Sequence, residues 1–229
     1  MAIRFYDLAG ADEARRFSPY CWRTHLSLKH KGLDFATIPW RFTDKDAIAF
    51  SGQGLVPVLV DGDRTVHDSW SIAEYLEERY PQAPSLFGSP QGRHFARFAK
   101  HWTETALLAP LMRILAKDIV ERLHPKDREY FRTSREKRFG TTLEAFSSER
   151  DQARELFRQA LLPMRRLMGE QPFLSGSAPA LADYIVFGAF QWARGTSSYP
   201  LLAEGDPVAA WRERMLDLYG GYARAFPAG

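Results

Sequence analysis

Ile3 and Phe5 fall on one face of an alternating stretch over residues 3–8, the period-two signature of a half-buried strand. After a loop over 9–17 the signals turn helical. Ser18-Pro19 offers an N-cap residue followed by a proline at the first helical position, and Gly32 stands where a helix terminates. Residues 35–40 read as a second strand, and strand, helix and strand in succession imply a parallel pair joined by a right-handed crossover. A polar loop over 41–55 follows. Val56-Pro57-Val58-Leu59-Val60 and Thr65-Val66-His67 then flank Asp61-Gly62-Asp63, the pattern of an antiparallel hairpin, and a helix over about 70–80 closes this part of the chain.

That order is the order of a thioredoxin-like unit. Pro81, Pro84, Gly88 and Pro90 punctuate the next residues as a linker. Beyond Gly92 the pattern predicts helices and no strand: 92–120 with Pro110 as a candidate kink, 126–138, 142–168 with Pro163 inside, 182–194, and 207–219. The fourth carries the uncharged run Tyr184-Ile185-Val186-Phe187-Gly188-Ala189-Phe190, too short for a membrane span and therefore a central buried helix. Asp206-Pro207 starts the last helix as Ser18-Pro19 starts the first. The expected fold class is α/β plus all-α: a thioredoxin-like domain at 1–82 in the order β-α-β-α-β-β-α, then an all-helical domain at 91–229.

Composition excludes more than it selects. With 45% hydrophobic and 14% aromatic residues the 229-residue chain can bury a core, which rules out a disordered protein. The 31 Lys+Arg and 28 Asp+Glu leave a formal charge of +3 with the signs interspersed, so no nucleic-acid partner is expected. Arg132 to Arg138 reads as a mixed-charge helix surface without aromatic interleaving. The single cysteine, Cys21, forms no internal disulfide or multi-cysteine zinc site and fits a reducing compartment. His94 and His101, seven apart, lack supporting carboxylates, so no metal is expected. Met1-Ala2-Ile3-Arg4 carries no long apolar run, and the expectation is a soluble, cytoplasmic protein without membrane contact.

Three short motifs carry candidate chemistry. Ser18-Pro19-Tyr20-Cys21 sits where the first strand meets the first helix, at the ligand edge of an open sheet, and the helix start favours an anion there. A thioredoxin scheme places Cys-x-x-Cys at this spot; here Ser18 replaces the first cysteine. A serine hydroxyl is a poor nucleophile without a base but a good donor to a thiolate, so the sulfur would arrive with a substrate. A plain helix cap is equally compatible, and the two roles do not exclude each other. In Val56-Pro57, a cis bond at a strand start would expose the backbone of Val56 to pair with an extended peptide; an ordinary edge-strand proline is the alternative. Asp68-Ser69, before a helix, can grip both charges of an amino-acid head group, against a capping role sharpened by a capping box at Ser71-Ile72-Ala73-Glu74.

Together, Ser18-Pro19-Tyr20, Val56-Pro57, and Asp68-Ser69 before Ile72-Ala73-Glu74-Tyr75-Leu76, followed by an all-helical half, resemble a cytosolic glutathione transferase over the whole chain. Within that superfamily, SPYCWRTHLSLKHKG (18–32), DSWSIAEYLEERYP (68–81), DREYFRTSRE (127–136) and ADYIVFGAFQWA (182–193) are similar to the bacterial glutathione-dependent lignin β-etherases and their fungal etherase-like relatives.

The resemblance implies that glutathione lies extended, its cysteinyl backbone on Val56 before cis-Pro57, its γ-glutamyl head at Asp68 and Ser69, and its sulfur facing Ser18. The thiolate would attack an electrophile, and in the etherase-like branch displace an aryloxide from the carbon next to a ketone. Many relatives carry a basic residue or glutamine before Val-Pro for the glycyl carboxylate; Leu55 stands there, and the role passes to Arg41 or Gln53. The small hydrophobic electrophile would meet Tyr20, Trp22, His101, Trp102 and Met112, and a homodimer is implied. The family's Ser/Thr-x-x-Asp helix cap reads Ala180-Leu181-Ala182-Asp183, a lost hydroxyl costing about 1 kcal/mol. Two other functions use the same residues: a non-catalytic carrier of glutathione conjugates or hydrophobic ligands, and a thiol transferase acting through Cys21. Against the second, Cys21, Thr24 and Leu28 share a helical stripe, which reads as a buried, inert thiol.

Overall fold

The computed structural model describes residues 3–229; Met1 and Ala2, on which part of the N-terminal reading falls, lie outside the described residues. The chain runs β1 (Ile3–Leu8), α1 (Pro19–His30), β2 (Phe35–Trp40), a 3-10 helix (Lys45–Ser51), β3 (Val58–Asp61), β4 (Arg64–His67) and α2 (Ser69–Arg79). The four strands form one mixed sheet in the order β2-β1-β3-β4. β1 is parallel to β2, with Ile3 opposite Phe35, and antiparallel to β3, with Phe5 opposite Leu59; β3 and β4 pair antiparallel through Leu59 and Val66. Gly62, at φ 61°, supplies the left-handed residue that the β3–β4 turn requires. This is the thioredoxin-like unit expected, and the stretch read as a polar loop over 41–55 carries the 3-10 helix.

An all-helical half follows: α3 (Pro90–Trp102), a π-helical turn (Thr103–Leu107), α4 (Leu108–Arg122), α5 (Pro125–Phe139), α6 (Leu143–Phe146), α7 (Arg150–Ala160), α8 (Leu162–Leu167), α9 (Leu181–Thr196) and α10 (Pro207–Gly221). Among the described residues no helix is long and apolar enough to cross a membrane. Two expected helices are corrected. The helix over 92–120 starts at Ser89, whose Oγ accepts the Gly92 N–H at 3.0 Å, and breaks before Pro110, not at it. The proline ring clashes with the carbonyl four residues back, that of Ala106, and the wider π turn takes up the clash. The helix over 142–168 is three pieces. α6 stops at Ser147, and Pro163 lies in the first turn of α8, where its missing N–H costs nothing.

The two halves meet through α1 and α9. Eight successive α1 residues, Cys21 to Leu28, are buried, one flank against the sheet and the other against α9. On the sheet side, His25 Nε2 bonds Asp7 Oδ2 at 2.7 Å and His25 Nδ1 meets the Tyr222 hydroxyl at 2.8 Å, so β1, α1 and the C-terminal segment share one buried polar chain. On the other side the backbones nearly touch. A Cβ at Gly188 would sit 2.3 Å from the Pro19 carbonyl oxygen, and one at Gly195 would sit 3.0 Å from Phe17 Cβ. These glycines, seven apart, leave the groove that seats residues 16–19.

Asp183 holds the start of α9 without the missing hydroxyl. Its carboxylate accepts N–H groups from Leu174 (2.7 Å), Ser175 (3.1 Å) and Ala180 (3.2 Å) and from the Trp211 indole (3.0 Å). At the linker, Glu77 accepts from Lys31 Nζ at 2.8 Å, the Leu86 N–H at 2.9 Å and the Ser85 hydroxyl. Burial pushes the Glu77 carboxyl up, but these donors outweigh it, and its pKa lies below the ordinary 4.5.

Gly188→Ala drives a methyl group into the Pro19 carbonyl and is expected to cost about 2–3 kcal/mol in urea denaturation, as overpacking against rigid backbone does. Because the Glu77 pKa is depressed on folding, its contribution is present above pH 4.5 and lost as pH falls through the folded value. Glu77→Gln should therefore lower stability by about 1–2 kcal/mol at neutral pH, with the difference from wild type shrinking below pH 4.5.

Candidate functional site

Ser18 is the N-cap of α1: its backbone is extended (φ −68°, ψ 122°) and its Oγ accepts the Cys21 N–H at 3.2 Å. The residue is 5% exposed, and α1 has no acidic side chain in its first turn, which leaves the positive end of the helix dipole uncompensated. Ser18 opens onto a cavity of ≈570 Å³ between the sheet's ligand edge and the helical half. Tyr20 and Val56 line the same side; Met112 and residues of α5 line the other. The Val56-Pro57 peptide is cis.

Asp68 takes φ 70° and ψ 131°, a backbone conformation that costs a non-glycine residue roughly 1–3 kcal/mol. There its Oδ1 accepts the N–H groups of Trp70 and Ser71, both at 3.0 Å, while Oδ2 takes no partner among the described residues. Asp68, not Ser71, caps α2, so the capping box expected at Ser71 to Glu74 is replaced: Ser71 already lies inside the helix, and Glu74 pairs with Arg93 at 3.0 Å. Ser69 is buried and lines a narrow cleft with Arg23, Trp70, Leu181 and Ile185. Arg23, 2% exposed, reaches Glu104 at 2.9 Å, while its Nε and Nη2 have no partner among the described residues. Its guanidinium also lies 4.6 Å from the Tyr20 ring centre. Burial raises the Tyr20 pKa; the Arg23 and Arg138 charges oppose that rise, while Glu104 and Asp68 add to it.

Other expected site residues lie elsewhere. Arg41 is held by Glu13 at 3.0 Å, and Gln53 is half-buried beside Gly54; neither lines the cavity. In that loop Lys45, which sequence reasoning passed over, donates to the Gly54 carbonyl at 2.6 Å. His101 is exposed, Trp102 packs against the core, and the indole N–H of fully buried Trp22 goes to the Arg16 carbonyl at 2.9 Å; none of the three lines the cavity. Cys21 is fully buried, and burial, with Asp7 close by, pushes its thiol well up. This argues against the thiol-transferase alternative, because a fully buried thiol is out of reach of a disulfide substrate.

The far wall holds what the sequence reading missed. Phe131, Arg135 and Arg138, spaced four and three apart on α5, present one stripe to the cavity, with Arg113 and Phe139 beside it. The stretch read as a solvated mixed-charge face is thus divided, Arg132 outward and Arg135 inward. The signal was in the spacing: an arginine in helical register with phenylalanines marks a half-buried face.

The sequence profile of the glutathione S-transferase N-terminal domain matches residues 17–79, and that of the C-terminal domain matches residues 95–213. Among solved structures, glutathione transferase GSTFuA3 from Phanerochaete chrysosporium superposes with a TM-score of 0.79 at 26% identity, covering 98% of this chain and 94% of that one. The glutathione S-transferase CsGST63524 of Ceriporiopsis subvermispora, crystallised in complex with glutathione, gives 0.76 at 24% identity, with 98% and 94% covered. Glutathione S-transferase Z1 of Arabidopsis thaliana is 41% identical over 69 residues, 28% of this chain and 31% of that protein. The match thus spans about a third of the length of the first curated relatives.

Cys21 should stay unlabelled by a maleimide in the native protein and react fully in concentrated guanidinium, as read by intact mass.

Proposed function

The chain belongs to the glutathione S-transferase family, and from that premise we propose that it uses glutathione as co-substrate and transfers the tripeptide's sulfur to an aromatic electrophile, Ser18 holding the thiolate. The observation that carries this reading is the state of the Ser18 hydroxyl. Its oxygen accepts the Cys21 N–H, so the O–H proton remains free to donate to a sulfur in the cavity. An ordinary thiol has a pKa near ~8.5, and one such donor together with the uncompensated helix start lowers it toward neutral pH.

The rest of the tripeptide follows the groove. Its cysteinyl backbone pairs with Val56, and its γ-glutamyl head meets Ser69 and Asp68, whose Oδ2 is available to an ammonium group. Gln53 is proposed for the glycyl carboxylate, since Arg41 is engaged by Glu13. The electrophile occupies the cavity beside Tyr20 and Met112, whose ≈570 Å³ is in the range of small-molecule sites.

The finer proposal is aryl-ether cleavage. The thiolate attacks the carbon next to a ketone, the C–S bond forms as the C–O bond breaks, and the departing aryloxide takes a proton from water. Products are a glutathione thioether and a phenol. The likeness of segments 18–32, 68–81, 127–136 and 182–193 to the etherase-like branch, and the full-length likeness to a fungal transferase, support it. A cytoplasmic homodimer is the proposed form, to be checked by sedimentation.

Turnover of a β-aryloxy ketone with a fluorescent leaving phenol tests the proposal. Ser18→Ala should lower kcat/KM by about 10–100-fold, the worth of a hydrogen bond to a charged sulfur, and raise the pKa of bound glutathione. Unchanged rates would remove Ser18 from the mechanism. Conjugation of other electrophiles without phenol release would leave a general transferase, and glutathione binding without any turnover would leave a carrier.

A further inference from the structure

Three arginines face the cavity from the helical half: Arg113 on α4, and Arg135 and Arg138 on α5. None has a carboxylate within ion-pair distance among the described residues. The acids that could have neutralised them are engaged elsewhere. Glu136 and Glu144 both pair with Arg132, at 2.9 Å. Glu104, the one acid on the cavity lining among the described residues, is held by Arg23 and Lys100, each at 2.9 Å.

Ring faces position the guanidinium groups instead. Arg135 lies 4.7 Å from the Phe131 ring centre and 5.5 Å from that of Phe42, and Arg113 lies 4.5 Å from that of Phe146. Ring faces attract a cation but leave its N–H donors unused. Arg135 spends one, from Nη1 to the Ser134 hydroxyl at 2.9 Å, and its buried Nε has no acceptor among the described residues. Arg138 makes no side-chain hydrogen bond among the described residues, yet its charge is felt at Tyr20, two residues from Ser18. The cavity therefore carries unbalanced positive charge and unused planar donors among phenylalanine rings, opposite the residue that faces the sulfur.

Resting on the transferase reading, we infer that Arg135 and Arg138, with Arg113, form an anion subsite, and that the preferred electrophile is an aromatic carboxylate whose ring packs on the phenylalanines while its reactive carbon points to Ser18. A guanidinium fork matches a carboxylate in two parallel hydrogen bonds. The subsite selects the electrophile; the tripeptide lies along Val56 and α2, on the other wall.

The test compares 4-chloro-3-nitrobenzoate with 4-chloro-3-nitrobenzamide at saturating glutathione, each rate divided by the uncatalysed rate with glutathione to remove the difference in ring activation. The benzoate should be favoured about tenfold or more in kcat/KM, the preference falling with added salt. Arg138→Gln, at an exposed position that leaves the fold intact, and Arg135→Gln should each cut that preference about tenfold, with Arg135→Lys restoring part of it. Equal normalised rates in the wild type, or a preference that survives both variants, would overturn the subsite. So would a variant effect confined to the KM for glutathione, which would assign the arginines to the tripeptide's own carboxylate. If neither chloroarene turns over, phenol release from the β-aryloxy ketone decides the transferase reading, and quenching of tryptophan fluorescence by nitrobenzoate against nitrobenzamide decides the subsite separately, because Trp40 and Trp192 line the cavity. Preferential binding of the benzoate would keep it; equal binding would end it.

Discussion

The approach of two backbones at Gly188 and Pro19 sets the rest of the molecule. Helix α1 carries the N-cap hydroxyl, and its first turn can occupy that place only because α9 has no side chain where the Pro19 carbonyl enters. Hydrophobic burial around α1 is large but non-directional, and would tolerate small slides of one helix over the other. Carbonyl contact with a glycine does not, because neither partner has a rotamer to change. The same contact fixes the distance between the sheet edge and the helical half, and so the height of the cavity above Ser18.

Helix starts are the second organising feature, and they are built in different ways. Ser18 and Ser89 each precede a proline and cap through the hydroxyl; Asp206 precedes a proline and caps through its carboxylate. Asp68 lacks the proline and holds a strained backbone instead, which brings its carboxylate over the first N–H groups of α2. Strain of this kind persists where the surroundings hold it in place, and here buried Ser69 and the α2 packing do so. The starts of α1 and α2 thus present unlike groups: a neutral donor at one and a half-used carboxylate at the other.

Much of this was legible in the sequence because the signals are local. Alternation in β1, the Ser-Pro start of α1, the Asp-Gly-Asp hairpin and the uncharged run of α9 each lie within a dozen residues and follow from the chain's own geometry. The Ser18, Val56, Asp68 and Ser69 motifs are legible for the same reason, and the structure places Ser18 and Val56 on the cavity. The break in α3–α4 was placed at Pro110 because the ring is visible in sequence, whereas the turn it displaces is the preceding one. The far wall was out of reach. Whether Arg135 meets solvent or a cavity depends on which side of α5 the sheet half occupies, a long-range fact that helical spacing constrains but does not decide. The same holds for Arg41 and His101, whose charge and position suited the roles implied for them until Glu13 and solvent claimed them.

The burial of α1 on both flanks has a consequence for biosynthesis. Its outer face is covered by α9, which leaves the ribosome on the order of ten seconds later. During that interval the N-terminal half has every strand of its sheet but shows water a flank of α1 that is buried in the folded chain. The thioredoxin-like unit is therefore a domain in its topology but not in its surface, which is completed only when α9 docks.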